Sequence, residues 1–244
     1  MDFTIEELSM DAWASIKTCF YDGWVIRISN GYTYRSNSVN LIYPSKINLE
    51  EKIKYCDELF TLHNLPVVYK VIDCEEHRII EKRLEQLNYL KVFETSIQVY
   101  EKLENLENDY DGIFVSDSFT DEWIECVIEF NNVEEKYMST SKTIHNNIVR
   151  EKIVVQKKID DKIVGCGYGV ISSNYVGLFD IVIKKEVRGM GFGKEIVKTI
   201  LSKALQRGVT NSYLQVVTTN SLALHLYEKL GFKEKYRYWY RKNP

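Results

Sequence analysis

The segment Arg188-Gly189-Met190-Gly191-Phe192-Gly193-Lys194 gathers the residue types that can hold an anion. Gly189, Gly191 and Gly193 put three positions without a side chain within five residues, so backbone N–H groups can come directly against a ligand. An apolar strand pattern precedes the segment and an amphipathic helix pattern follows it. A helix start offers unsatisfied amides and the positive end of the dipole, and Arg188 and Lys194 add full charges. The chemistry this predicts is recognition of phosphate oxygens. Spacing excludes two kinds of phosphate loop. A Walker loop needs glycine at 188, which is arginine, and a hydroxyl at 195, which is Glu195. A dinucleotide fingerprint needs a third glycine three residues after the second, where Lys194 or Ile196 stands.

The remaining pattern, Arg188-x-x-Gly191-x-Gly193, resembles the pyrophosphate loop of the GNAT superfamily of acyl-CoA-dependent N-acetyltransferases. Downstream, Asn220 and Tyr227 stand in Asn220-Ser221-Leu222-Ala223-Leu224-His225-Leu226-Tyr227-Glu228-Lys229-Leu230-Gly231-Phe232, which is similar to that superfamily's second signature. The resemblance covers roughly the last half of the chain. It implies that acetyl-CoA (coenzyme A) is the co-substrate, held by Arg188, Gly189, Met190, Gly191, Phe192, Gly193 and Lys194. It also implies that the backbone of Ile181, Val182 and Ile183 pairs with the pantetheine arm as an added strand would. Tyr227 is implied as the acid that protonates the leaving thiolate, although the same residue also reads as a core aromatic beside Ala223 and Leu230. Asn220 is implied as a pantetheine contact and reads equally as a helix cap.

The base is less defined. Members that acetylate protein N-termini carry Glu five residues before the motif Asn, and that position here is Gln215. Asp180, ahead of the cofactor strand's contact segment, is the best remaining carboxylate, and a salt-bridged strand residue is its other reading. Glu134, Glu135 and Tyr137 fall in the region that lines the acceptor pocket in the superfamily; a solvated helix end explains the two carboxylates as well. The implied function is acetyl transfer to a primary amine, of a small molecule, in a ternary complex. A non-catalytic acyl-CoA sensor and a protein or peptide N-acetyltransferase stay open as alternatives.

The elements that must position these residues read as α/β, or α+β by some schemes. Around the turn, Tyr175 to Ile183 predicts a strand and Gly193 to Gln206 a helix, stopped by Gly208. Strand Ser212–Val217, helix Ser221–Leu230 and strand Phe232–Arg241 follow. Upstream, Lys152 to Lys157 and Ile163 to Ile171 predict a hairpin turning near Asp160-Asp161, and Gly165, Gly167 and Gly169 leave one face of its second strand bare for a close approach. Asp121 to Phe130 reads as a helix, with a loosely apolar stretch on to Ile148. The first half predicts a short helix over Asp11–Phe20 and a hairpin turning at Asn30-Gly31. A helix capped by Asn48, a strand from Val67 to Ile72, a helix over Cys74–Leu87 and a strand from Val92 to Leu103 complete it.

Hairpin, helix, strand, helix and strand thus recur in both halves, and Glu85–Val92 resembles Glu228–Lys235. The expectation is a tandem GNAT-like chain with a mixed central sheet flanked by helices: a degenerate domain over 1–105, a polar linker over Lys102–Gly112, and a transferase domain over 112–244. The first half lacks the cradle, since Tyr43-Pro44-Ser45-Lys46-Ile47 contains no glycine. Arg35, Asn37 and Ser38 could face a cleft or a satisfied hairpin face. Ordinary α/β alternation is the other account of the repeat.

Composition fits this reading. Of 244 residues, 45% are apolar and 27% charged, and the formal net charge is −3 with no long basic run. These values disfavour a nucleic-acid or anionic-membrane partner and suit a cationic amine acceptor. An acidic start and the lack of a membrane-length apolar run predict a cytoplasmic protein. Five cysteines and four histidines (His63, His77, His145, His225) are scattered without ligand spacing, which predicts neither a disulfide framework nor a metal site.

Overall fold

The computed structural model describes residues 3–104 and 109–244, with eleven strands and seven α-helices among them. Backbone contacts group the chain into two units, one of Met1–Ile97, Val216–Ser221 and Glu234–Pro244 and one of Gln98–Gln215 and Leu222–Lys233. The expected division at 105 and 112 follows the chain, whereas this grouping takes two C-terminal segments into the first unit. Residues 105–108 of the expected linker lie outside the described residues.

In the first unit, helix α1 (Thr4–Ala12) precedes strands β1 (Lys17–Tyr21), β2 (Trp24–Ile28) and β3 (Ser38–Leu41), helix α2 (Leu49–Leu62), strand β4 (Val68–Ile72), helix α3 (Arg78–Gln86) and the first part of β5 (Leu90–Glu101). The last strand of the chain, β11 (Lys233–Lys242), pairs antiparallel with β4, while β3 and β4 are parallel. Arg241 anchors β11 by forking onto Glu81 of α3 and donating to Tyr89 O (2.9 Å). Glu6 of α1, buried, pairs with Lys70 of β4 and accepts from Tyr236 of β11, so this buried charge is matched on both oxygens.

Two expectations change here. No helix covers Asp11–Phe20: α1 ends at Ala12, Trp13 is buried, and Phe20 projects from β1 at 74% exposure, so the three apolar residues do not share a face. The tight turn is Asp22-Gly23, with φ of 40° and 81°, and a Cβ at Gly23 would sit 2.4 Å from Tyr43 O, which explains the glycine. Asn30-Gly31 instead begins a longer connection between β2 and β3. The buried Asn37 side chain organises it, accepting from Ser29 N (2.6 Å) and Gly31 N (2.9 Å). Arg35 stacks over Trp13 at 3.8 Å, so these polar residues build the loop. The Cys74–Leu87 helix begins as a 3₁₀ turn over Glu75–His77, and Ile79 faces solvent.

In the second unit follow β6 (Ile113–Ser116), α4 (Asp121–Phe130), α5 (Glu135–Asn146), β7 (Glu151–Ile159), β8 (Lys162–Ser172), β9 (Tyr175–Ile183), α6 (Phe192–Gln206), β10 (Asn211–Val217) and α7 (Ser221–Lys229). Strands β6 to β9 are successively antiparallel and β9 runs parallel to β10. The stretch to Ile148 contains α5, whose Thr- and Ser-rich sequence hid its helical period. The bare face of β8 receives α6: a Cβ at Gly167 would lie 2.6 Å from both Ile181 and Ile196, and one at Gly169 would lie 2.5 Å from Ile200. Ile196 and Ile200 are fully buried there, so the glycines let a helix approach the sheet closely enough to bury its apolar stripe.

The two halves of the chain share one order: antiparallel strands, a turn, a helix, a parallel strand, a helix and a closing strand, which is β5 in the first half and β11 in the second. The chain is a mixed α/β protein with a tandem organisation.

Candidate active site

The glycine turn leaves β9 through a 3₁₀ turn at Lys185–Val187 and enters α6. Gly189 and Gly191 have φ of +84° and +89°, in the left-handed region that favours glycine. A Cβ on either would meet no protein atom within 4 Å, so space stands open directly over the backbone. Lys194 N and Glu195 N turn back to Gly191 O (2.9 and 3.2 Å), while the amides of Phe192 and Gly193 belong to the first turn, which has no intrahelical acceptor. Met190 and Lys194 are exposed. Arg188 donates from Nε to Ile183 O (3.0 Å), which ties the turn to the strand end. Lys157 fixes the helix start: its Nζ reaches Glu195 (2.7 Å) and Asp111 O (2.6 Å) and lies 4.6 Å from the centre of the Phe192 ring. A phosphate-bearing group fits this cradle, in which charge, open volume and unpaired amides coincide.

The strand leading into it changes its pairing just before the turn. Pairing of β9 with β10 runs from Tyr175↔Asn211 to Leu178↔Leu214 and ends there, leaving the later residues of β9 without that ladder. Ile181, Val182 and Ile183 lie in this part; Val182 and Ile183 stay paired to β8, opposite Cys166 and Gly165. The break coincides with a bulge, because Phe179 pairs with Tyr168 and Val182 with Cys166, so three steps on β9 oppose two on β8. Asp180 occupies the bulge at φ +46°. An edge released from its neighbour beside an anion cradle can accept an extended arm as a strand partner.

Tyr227 sits in α7, its ring against Phe232 (5.8 Å between centroids), with Gly231 at φ +96° closing the helix. Burial pushes its hydroxyl up to about 12, so the phenol keeps its proton across the physiological range. Asn220 directly precedes α7, in the segment grouped with the first unit, and its backbone N donates to Val217 O (2.9 Å). Glu134 pairs with Lys136 (2.9 Å), whose Nζ lies 4.7 Å from the Tyr137 ring centre, a local surface cluster at the start of α5.

Sequence reasoning missed His145. Buried in the last turn of α5, it approaches Asp180 Oδ2 with Nε2 at 2.9 Å and Ser141 O with Nδ1 at 2.8 Å. Phe119, Trp123 and Tyr168 wall its ring at 5.3 to 5.8 Å between centroids. A lone histidine 35 residues from its partner carries no spacing signal, and only the fold joins them.

The corresponding turn of the first unit is filled by the chain itself. Asp22 accepts from Lys46 N (2.9 Å) and Ile47 N (2.8 Å), and Lys52 reaches both Asp22 and Ser45. These bonds hold the Asp22 carboxyl down at about 2. Pairing of β3 with β4 stops at Asn40↔Lys70, and His77 bridges the strands beyond, accepting from Ile72 N and donating to Leu41 O, both at 2.9 Å. A cleft of about 630 Å³ in the first unit is bordered by His77, Trp24 and Tyr43. Among the described residues no three His, Cys, Asp or Glu side chains cluster as metal ligands, and no helix is long and apolar enough to cross a membrane.

A sequence model described as "Acetyltransferase (GNAT) family" matches residues 106–232. The chain is 24% identical over 242 residues to the uncharacterized N-acetyltransferase YobR of Bacillus subtilis, covering 97% of this chain and 96% of that protein. It is 33% identical over 122 residues to the spermidine N(1)-acetyltransferase of Vibrio cholerae, covering 46% of this chain and 65% of the relative. A solved tandem GNAT protein from the clavulanic acid biosynthesis pathway superposes with a TM-score of 0.68 at 13% identity, over 98% of this chain and 88% of that one, a likeness of fold.

Proposed function

Because the chain belongs to the acetyltransferase (GNAT) family of N-acetyltransferases, we propose that its second unit acetylates a primary amine of a small molecule, by direct transfer from acetyl-CoA. The observation that carries this is the open volume over Gly189 and Gly191, at the first turn of α6 and beside a strand edge released after Leu178. In this reading the amides from Gly189 to Gly193, with Arg188 and Lys194, hold the diphosphate. The backbone of Ile181, Val182 and Ile183 aligns the pantetheine arm. Acetyl-CoA, when bound, supplies a thioester activated for attack by nitrogen.

The protein's own groups then handle protons. Asp180, half-buried at the bulge next to that strand edge, meets the acceptor's ammonium. Tyr227, protonated up to about 12, supplies the proton that the departing sulfur requires. A small cationic acceptor is supported by the net charge of −3 and by the spermidine-acetylating relative.

Release of free thiol from acetyl-CoA, measured against a panel of diamines, polyamines, amino sugars and short peptides, tests this. Turnover with small amines and none with peptides is expected. Turnover with peptides alone would reassign the acceptor, and tight binding without any turnover would make the chain a sensor.

A further inference from the structure

His145 and Asp180 are joined in a way that fixes how many protons they hold. The Ser141 carbonyl can only accept, so Nδ1 of His145 carries hydrogen and donates to it. Nε2 then faces Asp180 Oδ2 at 2.9 Å, and two lone pairs do not sit at that distance without a proton between them. The pair therefore holds one exchangeable proton and is neutral overall, whichever partner carries it. The His145 side chain has no solvent exposure, whereas Asp180 keeps 10%. With Phe119, Trp123 and Tyr168 packed round the imidazole, protons enter and leave through the carboxylate. The positive φ of Asp180 accompanies the bulge that places its side chain in reach of α5.

We propose that the acceptor's base is this pair acting as one unit, with His145 as the positioning and proton-holding partner of Asp180. The inference rests on the acetyltransferase reading given above. Loss of the shared proton, with the Nε2···Oδ2 contact opened, leaves the pair with one negative charge, and this is the form that takes a proton from the acceptor. An acceptor ammonium gives one proton to the pair, its N–H bond breaks, and the freed lone pair attacks the thioester carbonyl. The C–S bond breaks and the sulfur takes the Tyr227 proton. The nitrogen's second proton returns to Tyr227, and the pair releases its own to solvent through Asp180. The balance is one ammonium and one thioester giving one amide, one thiol and one proton.

Beside the pair stand Tyr168 and Cys166 of β8 and Trp123 of α4; burial raises the Cys166 thiol, which also feels Asp180 and the Cys126 and Glu122 side chains of α4.

His145→Gln keeps a donor for Asp180 and cannot titrate. The pH profile of kcat/KM is expected to lose the limb that the pair supplies, with the plateau lowered about tenfold or more and coenzyme A affinity unchanged. An unmoved limb with full rate in this variant would overturn the proposal. In the ligand-free protein, imidazole ¹H–¹⁵N spectra follow His145 directly, assigned by its loss in His145→Gln. Asp180→Asn is expected to move that titration step down by about one unit or more, since it removes the opposing charge. A step that stays in place would overturn the pairing even if acetyl transfer is found, and a step that moves upholds it even if every amine fails.

Discussion

In the proposed reaction Tyr227 serves core and chemistry together. Its ring packs on Phe232, and the same burial that packs it raises its hydroxyl to about 12, which keeps it protonated at neutral pH. A thiolate with a parent thiol near about 8.5 is a weaker base than that phenolate, so the proton passes to sulfur only as the attacking nitrogen's proton replaces it. Tyr227→Phe preserves the ring and removes only the donor. We expect kcat to fall about 100-fold with the KM for acetyl-CoA changed by less than about threefold, and initial rates at saturating amine measure both. A variant that keeps the wild-type kcat would remove Tyr227 from the reaction. Asp180 makes a complementary point: its type was readable as a base, but its partner was not, because His145 sits in no motif.

At the scale of elements, the glycines divide into those that leave room for protein and those that leave open space. Gly167 is filled by Ile181 and Ile196, at 2.6 Å from a would-be Cβ, whereas nothing stands over Gly191. Gly167→Ala is expected to cost about 1–3 kcal/mol of stability, because the core isoleucines must move. Gly191→Ala is expected to cost roughly 1–2 kcal/mol, from its left-handed φ alone. Coenzyme A affinity should nevertheless fall about tenfold or more in Gly191→Ala, since the new methyl enters the ligand's volume. Denaturant unfolding and titration calorimetry together check both, and unchanged affinity in Gly191→Ala would place the diphosphate elsewhere. The strand-to-helix register around this turn was legible: Tyr175–Ile183 was read to the residue, and α6 to within one. Helix α5 was not, because its apolar period is diluted by Ser and Thr.

For the whole molecule, the tandem organisation raises the question of whether both units bind cofactor. In the first, Asp22 occupies the turn amides and His77 spans the strands, so those groups are already satisfied. One coenzyme A per chain is the expected stoichiometry, and calorimetry giving two would show that the first unit opens. Asp22 also predicts an acid response. Its folded-state value of about 2 lies below the unfolded value of about 3.9, so its stabilisation is complete above pH ~4 and is lost as pH falls toward about 2. Asp22→Asn should unfold at lower denaturant than the wild type at neutral pH, and the two midpoints should converge across that window; parallel curves would refute the assignment. The sequence by itself determined the open glycine turn, the family and most element boundaries, because these depend on local spacing: glycine where the backbone must be bare, and apolar residues at the period of a strand or helix. Only the tertiary structure decided that β11 joins the first unit, that Asp22 fills the first unit's turn and that His145 meets Asp180. Each is a contact between residues at least 23 positions apart, set by sheet order and register, and no local pattern encodes which distant partner a strand or side chain will meet.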